Sequence, residues 1–213
     1  MRGRKTLVLD LDETLVHSQF NKVDRPDYTI PVDIEGRIQH IFVMKRPGAE
    51  YFLQQMAQYF EVVIYTASLS KVSIFFSFSR LNSVLNLPLT LIYLQPQYAD
   101  PLMNMMDPNN YCTARLFREH CTFVNGVFVK DMAQIGRNMK DAIIIDNSPT
   151  SYMLQPECGM PIISWYDDMN DRALFDYIPM LIEMSKINDM REAITGFVHQ
   201  NSFTMSHAMG VIA

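Results

Sequence analysis

Asp10 and Asp12 lie in the stretch LVLDLDETLVHS, residues 7–18, separated only by Leu11. Side chains two positions apart on an extended backbone share a face, so both carboxylates can enter one crevice while Leu11 turns back to the core. Carboxylates this close repel, and they coexist only beside a cation or in different protonation states. A lysine and a metal ion would supply the charge. Asp10 then suits a carboxylate nucleophile that forms an acyl phosphate, and Asp12 an acid that protonates a leaving alkoxide. Asp146 would help hold Mg2+, a hard cation suited to oxygen ligands and phosphate. Lys130 would neutralise phosphoryl oxygens, and Thr66 would donate a hydrogen bond to one of them.

These residues need a frame that brings them together. TLVLD (6–10), EVVIYT (61–66), DAIIID (141–146) and PIISW (161–165) are continuous apolar runs, the pattern of strands buried on both faces in a parallel sheet. Between the first two, YTIPVDIEGRIQHIFVMKRPG reads as a β-hairpin turning at Glu35-Gly36. Pro47 opens a helix through about Phe60, with Phe52, Leu53, Met56 and Phe60 on its apolar stripe. Segments near 150–155, 171–185 and 189–199 also have helical patterns. Strand, crossover helix and strand make the doubly wound α/β plan, in which ligands bind beyond the carboxyl ends of the strands. Asp10 to Asp12, Thr66-Ala67-Ser68 and Asp146-Asn147-Ser148-Pro149 follow three of those ends, and Lys130 follows the apolar run GVFVK.

Bulk properties narrow the choice of partner. The chain has 213 residues, 48% of them hydrophobic, enough for a substantial core in one domain or one domain with an insertion. A net charge of −5 argues against broad electrostatic binding to nucleic acid or anionic membrane. No basic start leads into an apolar signal segment. Cys112, Cys121 and Cys158 are odd in number and lack CxxC spacing, which favours reduced thiols in the cytosol or nucleus.

Two rival chemistries can be weighed from the sequence. D-x-D-x-T fails as a calcium loop, because Leu15 stands where such a loop needs Gly and Asn21 where it needs Glu. Cys112 and Arg118 have the C-x5-R spacing of cysteine-dependent phosphatases, but no glycine between them eases the wrap of backbone around phosphate.

In family order, LVLDLDETLVHS, KRPG, YTASLSK, YADP, ARLFREHCTF, VKDMAQIGR, IIIDNSPTSY and ISWYDDMNDRAL resemble the haloacid dehalogenase superfamily. Within it they resemble the small carboxy-terminal-domain phosphatases, including the nuclear-envelope phosphatase branch. The resemblance implies a Rossmann-like α/β fold with a β-hairpin insertion after the first strand, and Mg2+-dependent hydrolysis of phosphoserine or phosphothreonine in a protein substrate. It assigns the nucleophile to Asp10 and the general acid/base to Asp12. Phosphate or substrate binding falls on Thr66, Ala67, Lys130 and Arg118. Metal binding falls on Asp10, the Asp12 carbonyl, Asp146 and, through water, Asn147. The repeat tail of RNA polymerase II and a lipid-metabolism phosphatase at the nuclear envelope are the substrates it suggests, with a nuclear or cytoplasmic location.

One segment departs from the family pattern. In relatives YTASLSK runs straight on to YADP, whereas here residues 72–97, VSIFFSFSRLNSVLNLPLTLIYLQPQ, intervene without a single Asp, Glu or Lys. Arg80, Asn82, Asn86 and Pro88 argue against a membrane span. The segment starts with Val, whose codons begin GT, and ends with Gln, which CAG encodes, as an in-frame unspliced intron would. A substrate-covering cap is the alternative, and a phosphoprotein-binding module with impaired catalysis a further one. The expected organisation is a phosphatase domain over 1–199, interrupted at 72–97, and a tail over 200–213.

Overall fold

The computed structural model describes residues 3–34, 37–68, 98–194 and 196. The atypical segment 72–97 and the tail 200–213 lie outside these described residues, as does the Glu35-Gly36 turn. The central sheet has five parallel strands, β1 (Lys5–Leu9), β5 (Phe60–Tyr65), β6 (Cys112–Leu116), β9 (Ala142–Asp146) and β10 (Gly159–Pro161), in the order β10-β9-β1-β5-β6. β1 is central, so the loop after it is flanked by the ends of β5 and β9. That placement makes Asp10 the middle of the site.

The strands alternate between two apolar cores with the period of two expected of a pleated sheet. Leu7, Leu9, Val62, Ile64, Ile143 and Ile145 point to one side, against Phe52, Leu53 and Met56 of α1 (Ala49–Tyr59), Leu102 and Met103 of α2 (Ala99–Met106), and Leu174 and Leu181 of α3 (Ala173–Met184). Val8, Val63, Tyr65 and Ile144 point to the other side, which short 3-10 turns cover with Met132, Tyr152 and Cys158. The expectation of helices flanking the sheet therefore holds on one face among the described residues. Thin turns on the other face let Lys130 approach the strand ends from that side.

The hairpin exists, with β3 (Tyr28–Ile34) and β4 (Arg37–Lys45) pairing Ile34 to Arg37. It belongs to a three-stranded antiparallel sheet completed by β2 (Val16–Gln19), which polar composition hides in the sequence. The structure corrects four boundaries. The strand expected over 161–165 ends at Pro161, and Ile163 beyond it is exposed. The region 150–155 forms a 3-10 turn over Pro149–Tyr152. Helix α1 starts at Ala49, because Gly48 precedes it with φ 82°, and a Cβ there would lie 2.5 Å from the Phe175 ring. Phe60 belongs to β5. A final helical stretch occupies 190–194. A small hairpin, β7 (Thr122–Val124) and β8 (Val127–Val129), delivers Lys130.

Candidate active site

The chain leaves β1 with the Asp10 N–H donating to the Ile145 carbonyl at 3.0 Å, and leaves β5 with the Thr66 N–H donating to the Leu116 carbonyl at 3.0 Å. These bonds extend the sheet ladders by one residue and fix where the two loops begin. A cavity of about 240 Å³ opens at this edge. Its lining includes all eight residues singled out from the sequence: Asp10, Asp12, Thr66, Ala67, Arg118, Lys130, Asp146 and Asn147. Glu13, Ser68, Ser148 and Ser151 complete it.

Lys130 is 1% exposed, and its ammonium bonds both Asp10 Oδ1 and Asp146 Oδ2, the latter at 2.5 Å. Burial alone would lower the Lys130 pKa, but the two carboxylates override it and raise the value. Burial pushes the Asp10 carboxyl up to about 7, with Asp146 adding to the rise and Lys130 opposing it. One ammonium thus faces a surplus of carboxylate. Asp146 is steadied further by the Ser148 N–H at 2.8 Å. The Thr14 hydroxyl lies 3.0 Å from Asp10 Oδ2 and 3.3 Å from Asn147 Oδ1, while the Asn147 amide nitrogen donates to Ser164 at 2.9 Å.

Asp12 has a different shell. Ser68 Oγ bonds Asp12 Oδ2, Tyr98 OH donates to Asp12 Oδ1 at 3.1 Å, and Thr66 Oγ1 lies 3.5 Å from Oδ2. Thr66 Oγ1 also accepts the Ser68 N–H at 2.9 Å, closing a short turn after β5. Burial and the neighbouring Asp12 raise the Tyr98 phenol well above its ordinary value, so it remains a donor. Arg118 leans over the Phe128 ring, 5.1 Å from its centroid, and its Nε donates to the Ala67 carbonyl.

Sequence reasoning missed Thr14, Ser68 and Tyr98 as supports of the two aspartates. Thr14 and Ser68 sit beside chosen residues and were open to the question of what holds a buried carboxylate. Tyr98 had no local signal.

The C-x5-R alternative does not survive the geometry. Cys112 opens β6 and Arg118 follows its end, so a strand rising roughly 3.3 Å per residue separates them. Only Arg118 lines the cavity. Burial first, then Asp107, raises the Cys112 thiol, opposite to what a thiolate nucleophile needs.

Hard oxygen donors suit a magnesium-like cation. Asp10 and Asp146 fit that need, since their carboxylates converge on one point already occupied by a single positive charge. No cluster of three or more His, Cys, Asp or Glu side chains with metal-holding geometry occurs among the described residues. The expected set has only two such side chains, Asp10 and Asp146, completed by a backbone carbonyl and Asn147.

Residues 5–74 and 93–191 match the family described as NLI interacting factor-like phosphatase. The chain belongs to that family. The match breaks within the atypical segment and resumes before Tyr98. Among relatives, a probable C-terminal domain small phosphatase of Dictyostelium discoideum is 44% identical over 189 residues, which are 89% of this chain and 53% of that protein. A CTD small phosphatase-like protein of Homo sapiens is 42% identical over 188 residues, covering 88% of this chain and 59% of the relative. The chain thus spans little more than half the length of these phosphatases. Two solved structures share the fold. Fission yeast Fcp1, an RNA polymerase II CTD phosphatase, bound to beryllium fluoride, has a TM-score of 0.54 at 14% identity, covering 96% of this chain and 57% of that one. A second structure of Fcp1, described as an essential RNA polymerase II CTD phosphatase, has a TM-score of 0.55 at 16% identity, covering 86% and 50%. The architecture of this family member is the Rossmann-like haloacid dehalogenase fold.

Proposed function

We propose that this chain is a Mg2+-dependent protein phosphatase acting on phosphoserine or phosphothreonine through an aspartyl-phosphate. The observation that carries the reading is the division of labour between two neighbouring aspartates: Asp10 is gripped by a buried lysine, and Asp12 is held by hydroxyl donors. Asp10 attacks phosphorus, the bond from phosphorus to the serine or threonine oxygen breaks, and Asp12 gives that oxygen its proton. Asp12, now a base, takes a proton from water, whose oxygen displaces Asp10 from phosphorus and releases inorganic phosphate. Lys130 and Thr66 stabilise the charge on the phosphoryl oxygens, with Ala67 and Arg118 at the substrate side. Asp10, Asp146, the Asp12 carbonyl and, through water, Asn147 would hold Mg2+, which supplies positive charge to the phosphate and the carboxylates.

The names of the relatives, among them a small phosphatase of the RNA polymerase II carboxy-terminal domain, support a phosphorylated protein as substrate, with that domain one candidate; a nuclear or cytoplasmic site of action is proposed with it. Nucleic acid is not expected as a direct partner. Among the described residues, no helix is long and apolar enough to cross a membrane. Assay on a phosphoserine peptide tests the reading: EDTA should abolish turnover and iodoacetamide should spare it. The reverse pattern would rule out the aspartate mechanism.

The phosphatase domain is assigned to residues 1–199, with 72–97 foreign to it and 200–213 a tail. The break in the family match at residues 75–92 supports an interruption within that segment. It also favours a second reading, a phosphoprotein-binding module in which 72–97 impairs catalysis. Joining Lys71 to Tyr98 should raise solubility, melting temperature and activity, because the β-prone apolar windows VSIFF and LTLIYL lack acidic gatekeepers. A deletion variant that melts lower and turns over more slowly would establish the segment as an integral cap.

A further inference from the structure

Two motifs play no part in the proposed chemistry: Lys45-Arg46-Pro47-Gly48 at the end of β4, and the loop from Trp165 to Asp171. The fold brings both against the loop that carries the aspartates. Arg46 is 1% exposed, and its Nε and Nη2 bond the two oxygens of Asp171 at 2.7 Å each. Its Nη1 donates to the Thr14 carbonyl at 3.2 Å, and its own N–H donates to the Leu15 carbonyl at 3.0 Å. From the Asp171 loop, the Trp165 N–H donates to the Glu13 carbonyl at 2.8 Å.

Glu13 explains why outside support is needed. Its φ of 57° lies in the left-handed region, uncommon for a residue with a side chain, and such a conformation persists only where its surroundings fix it. The next residue, Thr14, is fully buried and reaches Asp10 Oδ2 with its hydroxyl.

We propose that Arg46, aligned by Asp171, is a positioning residue that fixes Thr14 and thereby aims the Asp10 carboxylate. The inference rests on the reading of Asp10 as nucleophile. A guanidinium is a rigid planar fork, so two bonds to one carboxylate set the direction in which its remaining nitrogen points. Here that direction is the Thr14 carbonyl. Lysine, a point charge on a flexible stem, holds neither the fork nor the direction.

The test compares Asp171→Asn and Arg46→Lys with Glu61→Gln in the full chain. Glu61 pairs with Arg137 near the start of β5, the end away from the cavity, so its loss reports an ordinary ion pair. Amide hydrogen exchange should quicken about tenfold or more at Leu15 and Val16 in Asp171→Asn, and stay unchanged across β9, as local rather than global opening requires. Hydrolysis of p-nitrophenyl phosphate with Mg2+ should lose on the order of 10-fold to 10²-fold in kcat at unchanged KM, the size of effect expected from a misaimed reacting group. Arg46→Lys should reproduce both changes. Adding Asp171→Asn to Thr14→Val should lower kcat little further, because both act on the same support of Asp10.

Exchange unchanged at residues 15 and 16, or rising uniformly as in Glu61→Gln, would overturn the proposal. So would an unchanged kcat in Asp171→Asn beside an active wild type. A wild type without turnover would instead favour the reading in which 72–97 impairs catalysis, and the exchange measurement would still decide whether Arg46 clamps the loop.

Discussion

Asp10 and Asp12 share a residue type and stand two positions apart, yet the fold surrounds one with charge and the other with hydroxyls. The Asp10 side is built from β9 and the β7–β8 hairpin, which deliver Asp146 and Lys130 as buried side chains. The Asp12 side is built from the turn after β5 and from Tyr98 at the start of α2, which offer neutral donors. A carboxylate gripped by a lysine is fixed in place beside groups that attract phosphate, as a nucleophile requires. A carboxylate held by hydroxyls is oriented without a permanent counter-charge, which leaves it free to exchange a proton. Environment, not residue identity, separates the two proposed roles.

The most severe way to break this contrast is to remove the proposed nucleophile. Asp10→Asn should lower kcat by at least roughly 10³-fold and abolish the beryllium fluoride adduct, a mimic of the phosphorylated carboxylate. Asp12→Asn should also cripple turnover, by roughly 10²-fold or more as for a lost general acid, while keeping the adduct. Near-normal turnover in Asp10→Asn would show that the two roles were misread.

Within the charged half, Asp146→Ala and Lys130→Ala should each cost about 10²-fold in rate, typical of preorganised electrostatic groups. Their Mg2+ titrations should separate them. Asp146→Ala should need more Mg2+, whereas Lys130→Ala should keep its Mg2+ midpoint and lose phosphate stabilisation. Superimposable titrations would dissolve the assignment.

The hydroxyl half should be more forgiving. Tyr98→Phe or Ser68→Ala removes one donor to Asp12 and should lower kcat about tenfold, as expected for one hydrogen bond to a charged group. An effect as large as that of Asp12→Asn would mean that the shell, rather than the carboxylate, carries the step. Cys112→Ala should change kcat least of all, by less than about threefold, since its thiol is buried at the far end of β6. A collapse of turnover in that variant, with the melting temperature preserved, would revive the thiolate mechanism.

How much of this was open to reading depended on how locally each feature was encoded. β1, β5 and β9 were legible because strands buried on both faces must be apolar throughout. β6 was not, since only Cys112 of CTARL is buried and its composition resembles a loop. β10 was displaced because apolar content does not require a strand: in PIISW, Ile162 and Trp165 are buried from a loop while Ile163 is exposed. β2, with the sequence VHSQ, carries no apolar signal beyond Val16.

The sequence by itself placed six of the eight candidate residues together, because Asp10, Asp12, Thr66, Ala67, Asp146 and Asn147 follow apolar strands, and strand ends in a parallel sheet share an edge. Lys130 from the β7–β8 hairpin and Arg118 from beyond β6 join them in the same cavity. Only the tertiary structure decided what holds them. Tyr98 reaches Asp12 across 86 positions, and Arg46 reaches Asp171 across 125. Neither pairing follows from spacing, since a hydrogen bond depends on distance in space, and the packing of α2 and of the Asp171 loop against the rest of the chain sets that distance.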